Sequence, residues 1–438
     1  MANSSGSVQA STEFPGSFRH KASGTEYEIS RVADQLELRW PGGRVKLEFF
    51  IGSRRMGRSY AYTEAGYLYQ VPVGFYATRR TWDMAPGYQL DTRPDFDRPI
   101  TSECLFCHTG AARVAQGTLN RILNLPDLHG VTCERCHGDG SAHAIRPRSD
   151  NIRNPRKLPA SARDAVCEQC HLAGEIRLPL PGADPSSYRP GEELSSYVEV
   201  FVSPDAPRGI RVNGHAEALA ASKCRQFAPE KFWCGTCHSP HQPATGFREK
   251  CLACHQPAQC PSPARDQGDC IRCHMPKATA FDGGHSVFTD HSIPRRPSRY
   301  AGRGNPPKVL IPYYRRALSE TIARRNLGLA YSELAIQYGR LELLQQAWPL
   351  LRSAAEGRPS DPALYTRMAS LLQADGRPEP AIELYRRSLE LDPNQSTALV
   401  NLAGLLEARG ELAEAARLRR RALVLLPRQP GLRSTRAP

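Results

Sequence analysis

The pentapeptide Cys-x-x-Cys-His occurs six times between residues 104 and 274 of the 438-residue chain, and no other feature restricts the fold as strongly. Twelve of the fourteen cysteines fall in these pairs. In this pattern, two thiols bind one porphyrin covalently and the adjacent histidine ligates its iron. We therefore predict six covalently bound haem c groups, held by motifs 1 to 6 in chain order: Cys104/Cys107/His108, Cys133/Cys136/His137, Cys167/Cys170/His171, Cys234/Cys237/His238, Cys251/Cys254/His255 and Cys270/Cys273/His274.

Paired cysteines also occur in zinc sites and in disulfide frameworks. About three four-cysteine zinc sites could use all the pairs, but they would leave the histidine of every motif without a role. A disulfide across a two-residue loop stabilises a fold only weakly. Both interpretations explain less of the pattern than covalent haem does.

The net charge of +14 is typical of proteins that bind nucleic acid or membrane surfaces. However, two propionates on each haem would add roughly −12 and bring the loaded protein close to neutrality. Arginines could pair with these propionates through two parallel hydrogen bonds. Since the sequence has no nucleic-acid motif and no basic stripe interleaved with aromatics, nucleic acid is not an expected partner.

No apolar run in the sequence is long enough for a transmembrane helix, so none is predicted. The start, MANSSGSVQASTEF, lacks the basic and apolar regions of a signal peptide. Bacterial haem c is attached outside the cytoplasmic membrane. We therefore expect a periplasmic or otherwise exported protein whose given start is trimmed or wrongly assigned.

Short alternating runs near the N-terminus predict β-strands. The runs 36–40 and 45–49 alternate apolar and polar residues, and Pro41-Gly42-Gly43 separates them, which predicts a hairpin. Aromatic segments from Tyr60 to Val73 add further strands. Residues 1–99 are therefore expected to form a small antiparallel β subdomain in which the aromatic side chains serve packing.

Two compositional changes divide the rest of the chain. Residues 100–292 hold all six motifs and are rich in proline and glycine, as expected of loops around cofactors. Residues 293–320 are rich in proline and arginine and are predicted to form a linker.

Residues 328–429 repeat with a period of 34. The recurring positions are Ala335/Ala369/Ala403, Ala347/Ala381/Ala415 and Pro359/Pro393/Pro427. Small residues in register let paired helices approach closely, and proline ends the second helix. The pattern resembles the tetratricopeptide repeat, so residues 321–438 are predicted to form an all-α solenoid that docks a protein partner. Gly376 and Gly410 mark the turn between helices, but Glu342 breaks this column in the first repeat.

A haem that only transfers electrons needs a second axial ligand, and histidine is the expected one. Seven histidines lie outside the motifs. We predict axial ligands at His143, His241, His285, His291, His215 and His20, whereas His129, four residues before Cys133, is less suited. His143 and His241 lie too near their own motifs to serve the same haem and are expected to serve neighbours.

Three other residues near the motifs have predicted roles. Cys224 and Cys260 lie outside the motifs and are expected either to form a disulfide or to remain buried thiols. Met275 follows His274 directly and is expected to pack rather than to bind iron.

The quoted motifs carry a family resemblance: CLFCH (104–108), CERCHG (133–138), CEQCHLAGE (167–175), CGTCHSPH (234–241), CLACH (251–255), CIRCHMPK (270–277) and TDHSIPRR (289–296). From about residue 16 to 292 the chain resembles bacterial multihaem cytochromes c with a cytochrome c-552/4-like haem domain. The expected protein is multidomain: a small antiparallel β subdomain, a loop-rich and mainly α-helical multihaem cytochrome c domain, and the all-α repeat solenoid. Family members commonly begin with a signal peptide and one further haem motif, which implies an N-terminal truncation and a seventh haem upstream.

Three functions fit these observations. The favoured one is a carrier of electrons between redox proteins, with the repeats docking one partner, because closely spaced motifs such as 5 and 6 place haems in contact. The second, implied by related multihaem architectures, is an oxidoreductase acting on a nitrite- or hydroxylamine-type compound at one open haem; no Cys-x-x-Cys-Lys motif is present. The third is a scaffold whose haems sense redox state or a gas. Whether the protein is an enzyme stays open at this point.

Overall fold

The N-terminal region consists of two antiparallel sheets. The computed structural model describes residues 5–8, 15–53, 55–204, 209–242, 245–256, 269–296, 305–357 and 359–428. The strands are β1 (Ser5–Ser7), β2 (Gly16–Arg19), β3 (Glu26–Val32), β4 (Gln35–Trp40), β5 (Gly43–Leu47), β6 (Phe49–Ser53), β7 (Gly57–Glu64), β8 (Tyr67–Tyr76) and β9 (Thr81–Met84). One sheet has the order β2-β3-β4-β5 and the other β1-β6-β7-β8-β9. The predicted antiparallel region is therefore confirmed.

The predicted hairpin joins β4 and β5. Trp40 pairs with Gly43, so Pro41 and Gly42 form a two-residue turn. Leu36 and Leu38 are fully buried, since alternate residues of a strand point to the same face. They pack in one core with aromatic side chains from the second sheet: Tyr60, Tyr62, Tyr69 and Trp82. These aromatics serve packing, as predicted.

The middle region has short helices joined by long connections. They are α1 (Ser102–Phe106), α2 (Glu134–His137), α3 (Ser141–Ile145), α4 (Ala160–His171), α5 (His215–Ala221), α6 (Lys223–Phe227), α7 (Cys234–Cys237), α8 (Phe247–Leu252) and α9 (Cys270–His274). Strand β10 (Ile176–Pro179) pairs with β11 (Val198–Val202), and β12 (Lys277–Thr279) pairs with β13 (Val287–Thr289). Each motif overlaps one helix, and a helical turn puts its two cysteines and the histidine on neighbouring positions of one face.

The described end of the predicted linker packs against the motif-bearing region. Strand β14 (Ile311–Pro312) pairs with β11, and the Tyr313 amide donates to the Val200 carbonyl at 2.8 Å. Residues 297–304 lie outside the described residues. The chain therefore enters the repeats from a strand that is fixed to the middle region.

The C-terminal region is a stack of helix pairs. Its helices are α10 (Glu320–Tyr338), α11 (Glu342–Ala355), α12 (Pro362–Ala374), α13 (Pro378–Leu391), α14 (Ser396–Ala408) and α15 (Leu412–Leu425). The six recurring alanines are all buried where paired helices meet. The predicted repeat of helix pairs is confirmed.

The turn between the two helices lies earlier in the first repeat than in the second. Helix α10 ends at Tyr338 and is followed by Gly339 in the left-handed conformation, with φ of 63°. In the second repeat, Gly376 is the left-handed residue, with φ of 72°. Glu342 stands where the later repeats have glycine, because helix α11 already begins at this residue.

Candidate haem-binding site

Two motif histidines each face a histidine from outside the motifs. The ring centroids of His137 and His241 are 5.7 Å apart, with 14° between the ring planes. Those of His238 and His291 are 6.2 Å apart, with 30° between the planes. A metal ion held between two imidazoles keeps the centroids about 6 Å apart, since each metal–nitrogen bond is about 2 Å long. Both centroid separations are close to this value.

A third motif histidine belongs to a cluster. The His171 and His215 centroids are 5.2 Å apart, and His215 lies 4.7 Å from His291. Burial, reinforced by the neighbouring imidazoles, lowers the pKa of His171 and lowers the pKa of His215 to about 3. Burial also lowers the pKa values of His238 and His291. The cluster is therefore neutral near pH 7, which is the form of imidazole that binds a metal.

Backbone carbonyls orient several of these rings. The Nδ1–H groups of His137, His291 and His274 donate to the carbonyls of Arg153, Thr289 and Pro294, at 2.7, 2.9 and 3.1 Å. A donor bond at Nδ1 fixes the tautomer that leaves the Nε2 lone pair free for a metal. The Nδ1 of His143 likewise lies 3.0 Å from the Arg148 carbonyl.

His215 differs because its Nδ1 is buried and has no hydrogen-bond partner among the described residues. A cavity of about 450 Å³ adjoins His215 and His291, and small residues such as Gly174 and Ala218 line part of it. Cavities that hold organic cofactors have about this volume. The neutral histidines, the unpaired nitrogen and the cavity together fit a haem group at this place.

The histidine of motif 1 lies apart from this cluster. His108 comes two residues after the end of helix α1 and is half-buried. Its backbone amide donates to the Leu105 carbonyl at 3.0 Å, and its carbonyl accepts a hydrogen bond from Ser5 Oγ at 3.0 Å. These bonds fix the backbone of His108 against the N-terminal sheet, but they do not test its predicted role as an iron ligand, which stays a prediction.

Motif 5 is the most exposed of the six. Cys254 and His255 follow the end of helix α8, and both side chains are exposed. Their backbone amides donate to the Cys251 carbonyl at 3.1 and 3.0 Å, which continues the helical turn through the motif. A porphyrin attached here would cover side chains that otherwise contact water. The predicted attachment of haem by Cys254 and its ligation by His255 stay predictions.

The motif cysteines differ in how far they are buried. Cys104, Cys133 and Cys254 are exposed, whereas the remaining nine, which include Cys136, Cys237 and Cys273, are half-buried. Cys273 lies inside helix α9, directly before His274. Partial exposure leaves the thiols accessible for attachment of a haem, although it does not test the predicted attachment.

His20 and His285 lie in a different environment. Both ring nitrogens of buried His20 have hydrogen-bond partners. Nδ1 lies 2.9 Å from Ser23 Oγ, and Nε2 donates to the Gln89 carbonyl at 2.9 Å. The ring nitrogens of His285 contact Asp83 at 2.6 Å and Arg79 at 3.0 Å. Both histidines are therefore bound to the N-terminal region, an arrangement that does not favour their predicted role as ligands, which stays a prediction. His129 is exposed.

Cysteines of different motifs lie close to each other. The thiols of Cys107 in motif 1 and Cys170 in motif 3 lie close enough to shift each other's pKa, and so do those of Cys167 in motif 3 and Cys234 in motif 4. Burial, together with Cys270 of motif 6 close by, raises the pKa of Cys251 in motif 5 to about 11. Motif 3 thus joins two others through its two thiols, which sequence spacing alone does not reveal.

None of the thirteen cysteines in the described part of the chain forms a disulfide. Cys224 is half-buried, but Cys260 lies outside the described residues, and so does the predicted disulfide between them. Within the described ranges, no group of three or more His, Cys, Asp or Glu side chains is arranged to hold a metal ion.

Two residues inside the motifs have contacts that the sequence analysis did not anticipate. Arg135 of motif 2 stacks on Phe106 of motif 1, and buried Glu168 of motif 3 accepts hydrogen bonds from the hydroxyls of Tyr313 and Tyr314. The sequence signal for these contacts is a charged residue between the two cysteines of a motif. Such residues are usually exposed, so the signal is weak.

Segments of the chain match models of two kinds of protein family. Residues 78–138, which include motifs 1 and 2, match the family model of cytochrome c554 and c-prime. Residues 362–405 and 398–434 match two tetratricopeptide repeat models. The chain joins a cytochrome c554-type segment to tetratricopeptide repeats. A cytochrome c segment implies haem c, and the repeats imply binding to proteins. No helix in the described ranges has both the length and the apolar character needed to cross a membrane.

Several solved structures resemble parts of the chain. A point mutant of MamA is 28% identical over 24% of this chain and 72% of its own, with a TM-score of 0.21. The N-terminal domain of stress-induced protein-1 (STI-1) from C. elegans is 18% identical over 26% of this chain and 93% of its own, with a TM-score of 0.21. The outer cell wall cytochrome OcwA is 15% identical over 85% of this chain and 88% of its own, with a TM-score of 0.38. Scores this low do not establish a common overall fold. No curated protein matches the chain.

Proposed function

We propose that this cytochrome binds haem c at all six motifs and carries electrons between redox proteins. The observation that carries the proposal is that a histidine from outside the motifs lies beside a motif histidine, as His241 lies beside His137, with a centroid separation of 5.7 Å that is close to the value for two imidazoles on one metal ion. A haem iron with two histidine ligands exchanges one electron with little structural change and leaves no position for a substrate.

The ligand assignments follow from the ring pairs. His241 serves motif 2 and His291 serves motif 4. We assign His215 to motif 3 because it lies beside His171 in the cluster. The carbonyl bonds at Nδ1 of His137 and His291 hold each ring with Nε2 free. His241 comes from the loop after motif 4 and serves motif 2, which agrees with the expectation that it serves a neighbouring haem.

The close thiols indicate which haems lie edge to edge. Because each cysteine binds the edge of its own porphyrin, close cysteines of different motifs bring those edges together. These pairs connect motifs 1 and 3, motifs 3 and 4, and motifs 5 and 6. Motif 3 is therefore the junction of the route that the electrons take.

The repeats dock a protein partner, and attachment of haem c places the whole protein outside the cytoplasmic membrane. The helix pairs form a continuous stack with an extended surface, which is how such repeats bind proteins. We infer that the partner at this surface donates or accepts the electrons that the haems carry.

The second candidate is an oxidoreductase acting on a small nitrogen compound at one open haem. The observation in its favour is the cavity beside His215, because Arg211 and Glu217 also line it. A cation and a carboxyl group next to an open iron could bind an anion and supply a proton. This function requires one iron with a free axial position.

Haem content and spin state test the proposal. We expect six haems per chain by mass spectrometry, and an electron paramagnetic resonance spectrum of low-spin iron that carbon monoxide and nitrite leave unchanged. The variant His241→Ala should convert one haem to the high-spin form, whereas His129→Ala, which changes an exposed histidine, should not. A high-spin fraction that binds nitrite in the unsubstituted protein would instead support the oxidoreductase.

A further inference from the structure

One arginine of motif 2 lies between motifs 1 and 3. The Arg135 guanidinium carbon is 4.0 Å from the centroid of the Phe106 ring, and Phe106 directly precedes Cys107. Its NH2 group donates to the Gly110 carbonyl at 3.3 Å. Its backbone carbonyl accepts from Gln169 Nε2, within motif 3, at 2.9 Å. A single residue therefore contacts two motifs other than its own.

The Arg135 side chain is half-buried, and no carboxylate in the described part of the chain balances its charge. Partial burial of the side chain lowers the pKa of Arg135. Its Nε is buried without a hydrogen-bond partner, and no Asp or Glu among the described residues pairs with it. By contrast, the nearby Arg163 and Arg225 both pair with Asp164, at 3.0 and 2.5 Å.

We propose that the poorly solvated charge of Arg135 raises the reduction potentials of the haems at motifs 1 and 3. The proposal rests on the proposed function, in which both motifs carry haem c. Reduction adds one electron, supplied by a redox protein, to a haem beside the guanidinium. A cation in a poorly solvated place stabilises that added negative charge more strongly than a cation in water does. Electrons then collect at motifs 1 and 3.

The alternative is that Arg135 only supports the packing of Phe106 and Gly110. A packing role predicts a loss of stability when the side chain is changed, with no selective change in potential. Reduction potentials therefore separate the two roles. Salt adds a second criterion, because a buried charge is screened much less than a charge at the surface.

The experiment compares Arg135→Met, Arg135→Lys and the matched control Arg156→Met, which removes an exposed arginine further along the same region. Each haem-loaded protein is titrated in a spectroelectrochemical cell at low and at high salt. We expect Arg135→Met to lower two of the six potentials more than the others at both salt concentrations. Arg135→Lys should keep them close to those of the unsubstituted protein, and Arg156→Met should leave all of them unchanged.

The proposal is overturned if Arg135→Met keeps its full haem content and its potentials do not move, or if all potentials move together. Should the Met variant lose haem, Arg135→Gln is judged by the same criteria. If that variant also loses haem, Arg135 is a determinant of assembly and the proposal is wrong. The haem count and spin state of the unsubstituted protein test the proposed function separately, so the two failures are distinguishable.

Discussion

Glu168 shows how a residue between the two cysteines of a motif can connect distant parts of the chain. Its two carboxylate oxygens accept hydrogen bonds from the hydroxyls of Tyr313 and Tyr314, both at 3.0 Å. Both tyrosines follow strand β14, just before the first repeat. Burial raises the pKa of the Glu168 carboxyl, and the two hydroxyls partly oppose this effect.

The raised pKa predicts a pH-dependent contribution of Glu168 to stability. Below the ordinary pKa of glutamate, about 4.3, the carboxyl is protonated in both the folded and the unfolded protein, and the contribution is fully present. It is lost as pH rises through the higher pKa of the folded state. We expect Glu168→Gln to flatten the dependence of the melting temperature on pH in this window.

The matched control is Glu134→Gln, because Glu134 occupies the same place in motif 2 and is exposed. Melting curves of the haem-loaded proteins from acid to neutral pH supply the comparison. An unchanged pH profile in the Glu168→Gln variant would contradict the assigned burial.

At the scale of single residues, the sequence indicates which side chains are candidates to bind haem better than it indicates which side chains contact each other. The motif cysteines and the candidate histidines are identified by residue type and spacing. The sequence does not show that His241 and His291 lie beside motif histidines whereas His20 and His285 bond to the N-terminal region. Both nitrogens of His20 are used by the N-terminal region. Those partners meet only in the folded chain.

At the scale of elements, the buried alanines of the repeats set the distance between helices. Ala369 on α12 and Ala381 on α13 are fully buried. Adding three carbon atoms at such a position forces neighbouring side chains out of their preferred rotamers. We expect Ala369→Leu to lower the free energy of unfolding by about 1–3 kcal/mol.

Thermal and denaturant unfolding followed by helical circular dichroism measures this change. Ala374→Leu is the matched control, since Ala374 ends the same helix and is exposed. Equal stabilities of the two variants would show that helix spacing does not depend on this column.

Elements with strong local signals were predictable, and elements that depend on distant pairing were not. The β4–β5 hairpin follows from its turn sequence and alternation, and the helix pairs follow from their period. Strand β14 has only two residues, Ile311–Pro312, and exists because β11 offers a free edge. The early turn at Gly339 replaces the one expected near residue 342, because the sequence supplies a glycine that ends α10 sooner.

At the scale of the whole molecule, both ends of the repeat stack contact the remainder of the chain. At one end, Leu329 and Leu334 of α10 pack with Ile176 and Phe201. At the other end, the Leu119 amide donates to the Leu425 carbonyl at 3.2 Å, and the Tyr67 hydroxyl donates to the Val424 carbonyl at 3.1 Å. The stack therefore spans from the motif-bearing region to the N-terminal sheets.

Arg428 is the main charged contact at the second end. Its guanidinium pairs with Glu64 and lies 3.4 Å from Asp97, and it donates to the Tyr62 hydroxyl at 2.6 Å. The same group lies 5.5 Å from the ring centroids of Tyr62 and Tyr69. These contacts join residues more than three hundred positions apart, so no local pattern in the sequence could predict them.

Removing the Arg428 charge should release the end of the stack without affecting the haems. Charge-assisted hydrogen bonds contribute about 1.5–3 kcal/mol each, so Arg428→Met should make local opening of α15 much more frequent. We expect faster amide exchange in α15 and at Leu119, with an unchanged visible spectrum. Arg421→Met, which changes an exposed arginine of the same helix, should leave exchange at Leu119 unchanged. Exchange in Arg428→Met that matches the unsubstituted protein would contradict this role of the charge. Apolar contacts would then hold the two regions together, since Leu399 and Leu425 pack on Leu119.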